Sequence, residues 1–167
     1  RSSSTITVPP SKTDGTSAGT VLLKDIHPTG NSFPAIFYEF NGALFFTAND
    51  GTNGFELWKT DGTNGGTILV KDISTGSSGS NPSNFKSVNG VLVFTASEPN
   101  TGLELWKTDG TAAGTVLLKD IFTGVGSSVP FGLNSVNNII LFQAGSLASG
   151  SELWKTDGTP AGTEMII

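Results

Sequence analysis

The sequence predicts an all-β protein, a β-propeller-type array of four-stranded antiparallel blades. Three observations carry that expectation. The phrase Glu56-Leu57-Trp58-Lys59-Thr60-Asp61-Gly62-Thr63 returns at Glu104–Thr111 and again at Glu152–Thr159. A shortened copy, Lys12-Thr13-Asp14-Gly15-Thr16, stands near the start, so that Lys12, Lys59, Lys107 and Lys155 are spaced 47, 48 and 48 residues apart. A fixed period of that size marks a repeat architecture. Between the copies, short apolar runs alternate with tight-turn dipeptides, and no segment sustains a helical period.

Taken in order, Ile6-Thr7-Val8 reads as a short strand ended by Pro9-Pro10, and Thr20 to Ile26 as a strand alternating around Val21 and Leu23. His27 to Asn31 is a loop. The middle repeat shows the unit most clearly. Asn84 to Val88 is a strand, and Asn89-Gly90 is a hairpin signal because a type I′ turn needs positive φ at both central residues. Val91 to Ser97 is rich in β-branched and aromatic residues and reads as the second strand. Glu98 to Gly102 loops into Leu103 to Thr108; Asp109-Gly110-Thr111 turns the chain, and Thr115 to Ile121 returns it. Phe122 to Pro130 then leads to the next unit. Four short strands per period are the signature of propeller blades, and apolar neighbours such as Val93 and Phe94 suit sheets covered on both faces. A β-solenoid is the competing architecture, but its coils have shorter periods and fewer hairpin signals.

The repeats divide the chain into an N-terminal strand region with a partial repeat (1–32) and repeats at 33–80, 81–128 and 129–167, about 3.5 in all. Closed propellers have about four to eight blades. The count therefore predicts closure or extension by self-association, since unpaired strand edges recruit other strands.

The net charge of −5 disfavours nucleic-acid and anionic-surface partners, which attract clustered Lys and Arg. No apolar run is long enough for a membrane span, and no signal peptide is visible at Arg1. The absence of cysteine removes disulfides, thiolate metal sites and cysteine nucleophiles. A surface rich in Ser, Thr, Asn and Gly, with only 14% charged residues, suits an exported protein better than a cytosolic enzyme.

The Glu-Leu-Trp-x-x-Asp-Gly-Thr motif, three times here with Lys-Thr in the variable pair, resembles the signature of the ELWxxDGT-repeat family. The resemblance covers about residues 12–167 and extends to Gly66-Thr67, Gly114-Thr115 and Gly162-Thr163, and to Lys24-Asp25-Ile26, Lys71-Asp72-Ile73 and Lys119-Asp120-Ile121. It implies a bacterial, exported, propeller-like repeat protein, and no catalytic residue. The first copy departs from the motif, with Pro9-Pro10-Ser11 in place of Glu-Leu-Trp, and the last stops at Ile167 before any Lys-Asp-Ile. Thr-Asp-Gly-Thr is also loosely similar to the Asp-box turn of sialidase-like propellers, which implies a place between a blade's third and fourth strands.

Asp14, Asp61, Asp109 and Asp157 are read as structural turn residues, because Asp before Gly bonds its own backbone while Gly takes positive φ. Trp58, Trp106 and Trp154 are read as inter-blade packing. Glu56, Glu104 and Glu152 share a strand face with those tryptophans. If that face is open, Trp58/Glu56, Trp106/Glu104 and Trp154/Glu152 are the ligand-binding pairs of a lectin. Lys59, Lys107 and Lys155 are expected to form ion pairs or stay solvated. Asp50 and Asn53, in an oxygen-rich loop, are the candidates for a single calcium site. Ser146 to Gly150 carries no acid, which argues against a repeated one. His27, the sole histidine, reads as a loop residue. No nucleophile elbow or phosphate loop is present.

The expectation is a non-enzymatic, extracellular or cell-surface module that self-assembles as a structural or adhesive component. It needs no cofactor, beyond calcium at Asp50, and its main partner is itself. The alternative is a carbohydrate-binding lectin with glycans as partners.

Overall fold

The computed structural model describes residues 10–166; the strand read at Ile6–Val8 lies outside them. Among the described residues the protein is all-β, with three four-stranded antiparallel sheets, one two-stranded sheet and no helix. The chain divides into two compact units, residues 1–81 and 82–167.

In the first unit, β1 (Ser11–Lys12) pairs with β2 (Val21–Leu22). β3 (Ala35–Phe40), β4 (Ala43–Asn49), β5 (Phe55–Thr60) and β6 (Ile68–Lys71) follow as a meander in sequence order. The sequence reading of a full strand from Thr20 to Ile26 is corrected here. The ladder stops after two residue pairs, Ser11 with Leu22 and Lys12 with Val21. Proline has no N–H to donate, so Pro9-Pro10 cannot extend β1 toward its N-terminus by a regular ladder. A single further bond, from Leu23 N to Pro10 O at 2.9 Å, uses the acceptor that proline keeps. The core of this unit gathers Ile26, Phe46, Ala48 and Trp58, with Leu69 against them.

The second unit holds two meanders: β7 (Ser83–Val88), β8 (Val91–Glu98), β9 (Gly102–Thr108) and β10 (Val116–Lys119), then β11 (Phe131–Val136), β12 (Ile139–Ser146), β13 (Gly150–Thr156) and β14 (Glu164–Met165). One cluster joins the two sheets. Val88, Val93, Leu105, Leu118 and Ile121 come from the first, and Leu133, Ile140, Phe142, Ala144 and Trp154 from the second. Each large side chain buried there contributes about 1.5–3 kcal/mol. Alternation supplies the two-sided burial: on β8, Leu92 and Phe94 are buried on one face and Val93 on the other.

Turn chemistry sets the register. Asn41-Gly42 and Asn89-Gly90 all have positive φ, as two-residue hairpin loops require. The first strand of each complete sheet carries an irregularity near its start, with left-handed backbone at Ile36, Asn84 and Gly132. Asn and Gly tolerate that conformation, whereas a β-branched residue is strained in it. Ile36 is also largely exposed, so its side chain returns little burial. Ile36→Asn is therefore expected to stabilise the protein by about 1 kcal/mol, read as a higher urea midpoint at unchanged slope.

Candidate functional site

The most elaborate polar constellation in the molecule is built around a buried glutamate. Glu56 sits on β5, is itself fully buried, and its side chain reaches the linker that follows β6. Its carboxylate accepts hydrogen bonds from Ile73 N at 3.1 Å, Ser74 N at 3.0 Å, Ser80 N at 2.8 Å and Ser80 Oγ at 2.5 Å. Glu104 on β9 repeats the arrangement, accepting from Ile121 N at 3.0 Å, Phe122 N at 3.2 Å, Ser128 N at 2.8 Å and Ser128 Oγ at 2.5 Å. Four donors on one carboxylate hold the linker against its own sheet. Burial lifts both carboxyls above the ordinary glutamate range, and the serine hydroxyl and backbone amides only partly offset it.

Glu152 departs from this pattern. It is exposed, and the positions one period beyond Ile121, Phe122 and Ser128 fall after Ile167. The serines at 32, 80 and 128 recur at the repeat period and were not singled out in the sequence reading. Their spacing of 24 residues from the glutamates at 56 and 104 was the signal available.

Trp58, Trp106 and Trp154 are buried, so none presents a ring face to solvent. Their indole nitrogens have no hydrogen-bond partner among the described residues, which leaves packing to hold the rings. The pairs Glu56/Trp58 and Glu104/Trp106 therefore come together inside the protein. Of the six residues of the lectin reading, Glu152 alone is exposed.

Each Asp-Gly-Thr turn is closed by a relay of side chains. Asp61 Oδ1 accepts from Thr63 N at 2.8 Å and Thr63 Oγ1 at 2.7 Å, while Thr63 Oγ1 accepts from Gly66 N at 2.9 Å. Thr67 Oγ1 donates to Thr63 O at 2.7 Å, so its contact with Thr60 Oγ1, also 2.7 Å, uses the Thr60 proton. Asp109 and Asp157 repeat the same bonds to Thr111 and Thr159, and Asp14 bonds Thr16 likewise. Hydrogen bonds from the threonine hydroxyl and amide hold the carboxyls of Asp14, Asp61 and Asp157 below the usual aspartate range. Gly114 is required because a Cβ there would meet the Asp109 carboxylate at 2.1 Å.

Lys107 Nζ donates to the carbonyl of Gly158 at 3.2 Å, on the turn of the next repeat, and its charge contributes to holding the Asp157 carboxyl low. A backbone carbonyl lies within reach because the next sheet packs alongside. Lys12 makes the equivalent bond to Gly62 O at 3.0 Å. Lys155 pairs with Glu164 at 3.0 Å, both side chains being partly exposed.

Asp50 Oδ1 accepts from Thr52 N at 2.9 Å and Asn53 N at 2.8 Å, and Oδ2 from Asn53 Nδ2 at 2.8 Å. Partial burial raises its carboxyl, but these bonds outweigh it and leave the group below the usual range. The loop's own donors thus occupy the proposed calcium ligand. Among the described residues no three His, Asp or Glu side chains converge as a metal group. The His27 ring packs against Gly30 and Gly51.

One surface groove, of about 450 Å³, lies in the second unit, lined among others by Phe122, Val129, Phe131, Gln143 and Ser151. Phe131 is exposed there, and Gln143 Nε2 donates to Ser151 Oγ at 2.7 Å.

No protein-family model matches the chain, and no curated protein matches it. Two solved structures are similar at low identity. One is a computationally designed protein, Ika8, with 15% identity, a TM-score of 0.43 and coverage of 87% of this chain and 38% of that one. The other is an α-L-arabinofuranosidase from Clostridium thermocellum, with 14% identity, a TM-score of 0.38 and coverage of 82% and 51%. This chain thus spans about half or less of each, and neither likeness bears on activity.

Two outcomes follow from the glutamate site. Glu104→Ala removes the acceptor of three backbone amides and is expected to cost roughly 3–5 kcal/mol, measured by urea unfolding. Glu104→Gln, which turns an NH₂ toward donors, is expected to cost about 1–3 kcal/mol. The pH profile has a definite sign. The raised carboxyls of Glu56 and Glu104 bind protons more tightly in the folded state, so stability falls as pH rises from 4.5 through their folded values. The lowered aspartates act oppositely and weakly, being solvent-screened, and their contribution is lost as pH falls below 3.8. Unfolding free energies across this range should peak in mild acid, and Glu104→Gln should flatten the limb above 4.5.

Proposed function

We propose that this chain is a non-enzymatic, exported repeat module whose sheets are propeller blades, and that it associates with copies of itself as a structural or adhesive surface component. The observation that carries this reading is the use made of the repeated polar residues. Glu56 and Glu104 are spent on linkers, Asp61 on its own turn and Lys107 on the neighbouring repeat, so these motif side chains are engaged in construction. The last repeat supports association. Leu153 is 49% exposed, whereas its counterpart Leu105 is fully buried by the repeat that follows it. An uncovered repeat face of this kind suits a like partner. Export is supported by the low charge density and the absence of cysteine.

Sedimentation from about 1 to 100 μM should show mass increasing with concentration; a monodisperse monomer throughout overturns the reading.

A second reading, a lectin, draws support from a different place than the motif. The exposed ring of Phe131 beside Gln143 and Ser151 offers a sugar an apolar platform with polar neighbours. Calorimetry over a broad glycan panel tests it. Binding that Phe131→Ala abolishes would support the lectin, and a flat panel would remove it.

A further inference from the structure

The first and last repeats each hold half of the glutamate site. The linker Ile26–Ser32 is the counterpart of Ile73–Ser80 and Ile121–Ser128, the linkers that capture Glu56 and Glu104. At its own glutamate position the sequence has Pro9. Ser32 is 2% exposed, yet its Oγ has no hydrogen-bond partner among the described residues. The equivalent hydroxyls of Ser80 and Ser128 each hold a carboxylate at 2.5 Å. The socket is therefore built and lacks its acid. Glu152 is the converse, an exposed acid on β13 in the register of Glu56 and Glu104.

The apolar surroundings match as well. In the second unit, Val88, Val93 and Leu105 cover Leu133 and Ile140, which are 6% and 0% exposed. The counterparts of the covering residues on the last sheet are Val136, Leu141 and Leu153; Val136 and Leu153 are exposed. The counterparts of the covered residues on the first complete sheet are Phe37 and Leu44, and Phe37 is 55% exposed.

We propose that Glu152 of one copy seats in the Ile26–Ser32 socket of a second copy, so that the last repeat of the first chain takes the place of the second chain's degraded first repeat. This rests on the self-association proposed above. The carboxylate accepts from the backbone amides of Ile26, His27 and Ser32 and from Ser32 Oγ, as Glu104 does from Ile121, Phe122 and Ser128. The strand bearing Glu152 needs the space of β1, and β1–β2 gives way. That sheet is the one best suited to yield, since its ladder holds two residue pairs against seven between β12 and β13. Lys155 then replaces Lys12 as donor to the Gly62 carbonyl of the second copy. Because the surface bearing Glu152 on one copy meets the different surface around Ser32 on the other, the contact is heterologous, giving rings or open chains.

The test uses the full 167-residue chain and three substitutions, with folding verified by circular dichroism. Sedimentation equilibrium should show association that Glu152→Gln and Ser32→Ala each weaken tenfold or more, with the double variant no weaker than the worse single one, because both break one contact. Pro9→Glu, which returns an acid to the chain's own socket, should abolish association. Mixing Glu152→Gln with Ser32→Ala should restore a junction, since one protein retains an intact socket and the other an intact acid, and should stop at dimers. Wild-type association unaffected by all three substitutions overturns the socket pairing and leaves self-association standing. A wild-type monomer at every concentration overturns both.

Discussion

A carboxylate without solvent, held by three amides and a hydroxyl, fixes each linker to the sheet it leaves. It supplies four of the polar bonds that hold each of the linkers after β6 and β10, alongside single bonds such as Asn81 N to Phe55 O and Leu103 N to Ser127 Oγ. Without it, the linker amides would be left buried without an acceptor, a cost comparable to losing each hydrogen bond outright. Burial raises the carboxyls while the donors lower them, and burial wins. The arrangement thus sacrifices some stability at neutral pH in exchange for a single linker geometry.

Around that anchor, almost every letter of the repeated phrase has a separate mechanical task. In Glu104-Leu105-Trp106-Lys107-Thr108-Asp109-Gly110-Thr111 the glutamate takes the linker and the leucine packs toward the following sheet. The tryptophan is buried, and the lysine crosses to the next turn's carbonyl. Thr108, Asp109 and Thr111 close the turn through hydroxyl and carboxylate, with Gly110 in left-handed backbone. Each of these roles joins one part of a repeat to another or to its neighbour, as the stacking of like units requires.

The terminal repeats matter because identical parts stand there in different surroundings. Leu105 and Leu153 share a register and a sheet position, yet one is covered and the other open. The same contrast separates Glu104 from Glu152 and Ser128 from Ser32. Interior repeats reveal what each position is for, and the outer ones show the same positions in a different setting. In a repeat protein, the interface between neighbours and the surface at the ends are the same surface.

From sequence alone the all-β class, the four-strand meander, the Asn89-Gly90 hairpin and, to within a residue, the limits of the first three strands of the middle repeat could be read. These depend on local rules: side-chain alternation, β-branched content and positive φ at Asn and Gly. The two-residue extent of β1–β2 was not legible, because it depends on how much pairing partner Pro9-Pro10 leaves. Nor was the role of Glu56 and Glu104, which looked like surface acids beside an aromatic. Their captors lie 17 to 24 residues further on, in loops with no periodic pattern of their own, and only folding brings those amides around one oxygen pair. Local stereochemistry is written residue by residue, whereas burial and the partner of a charge belong to the packed chain.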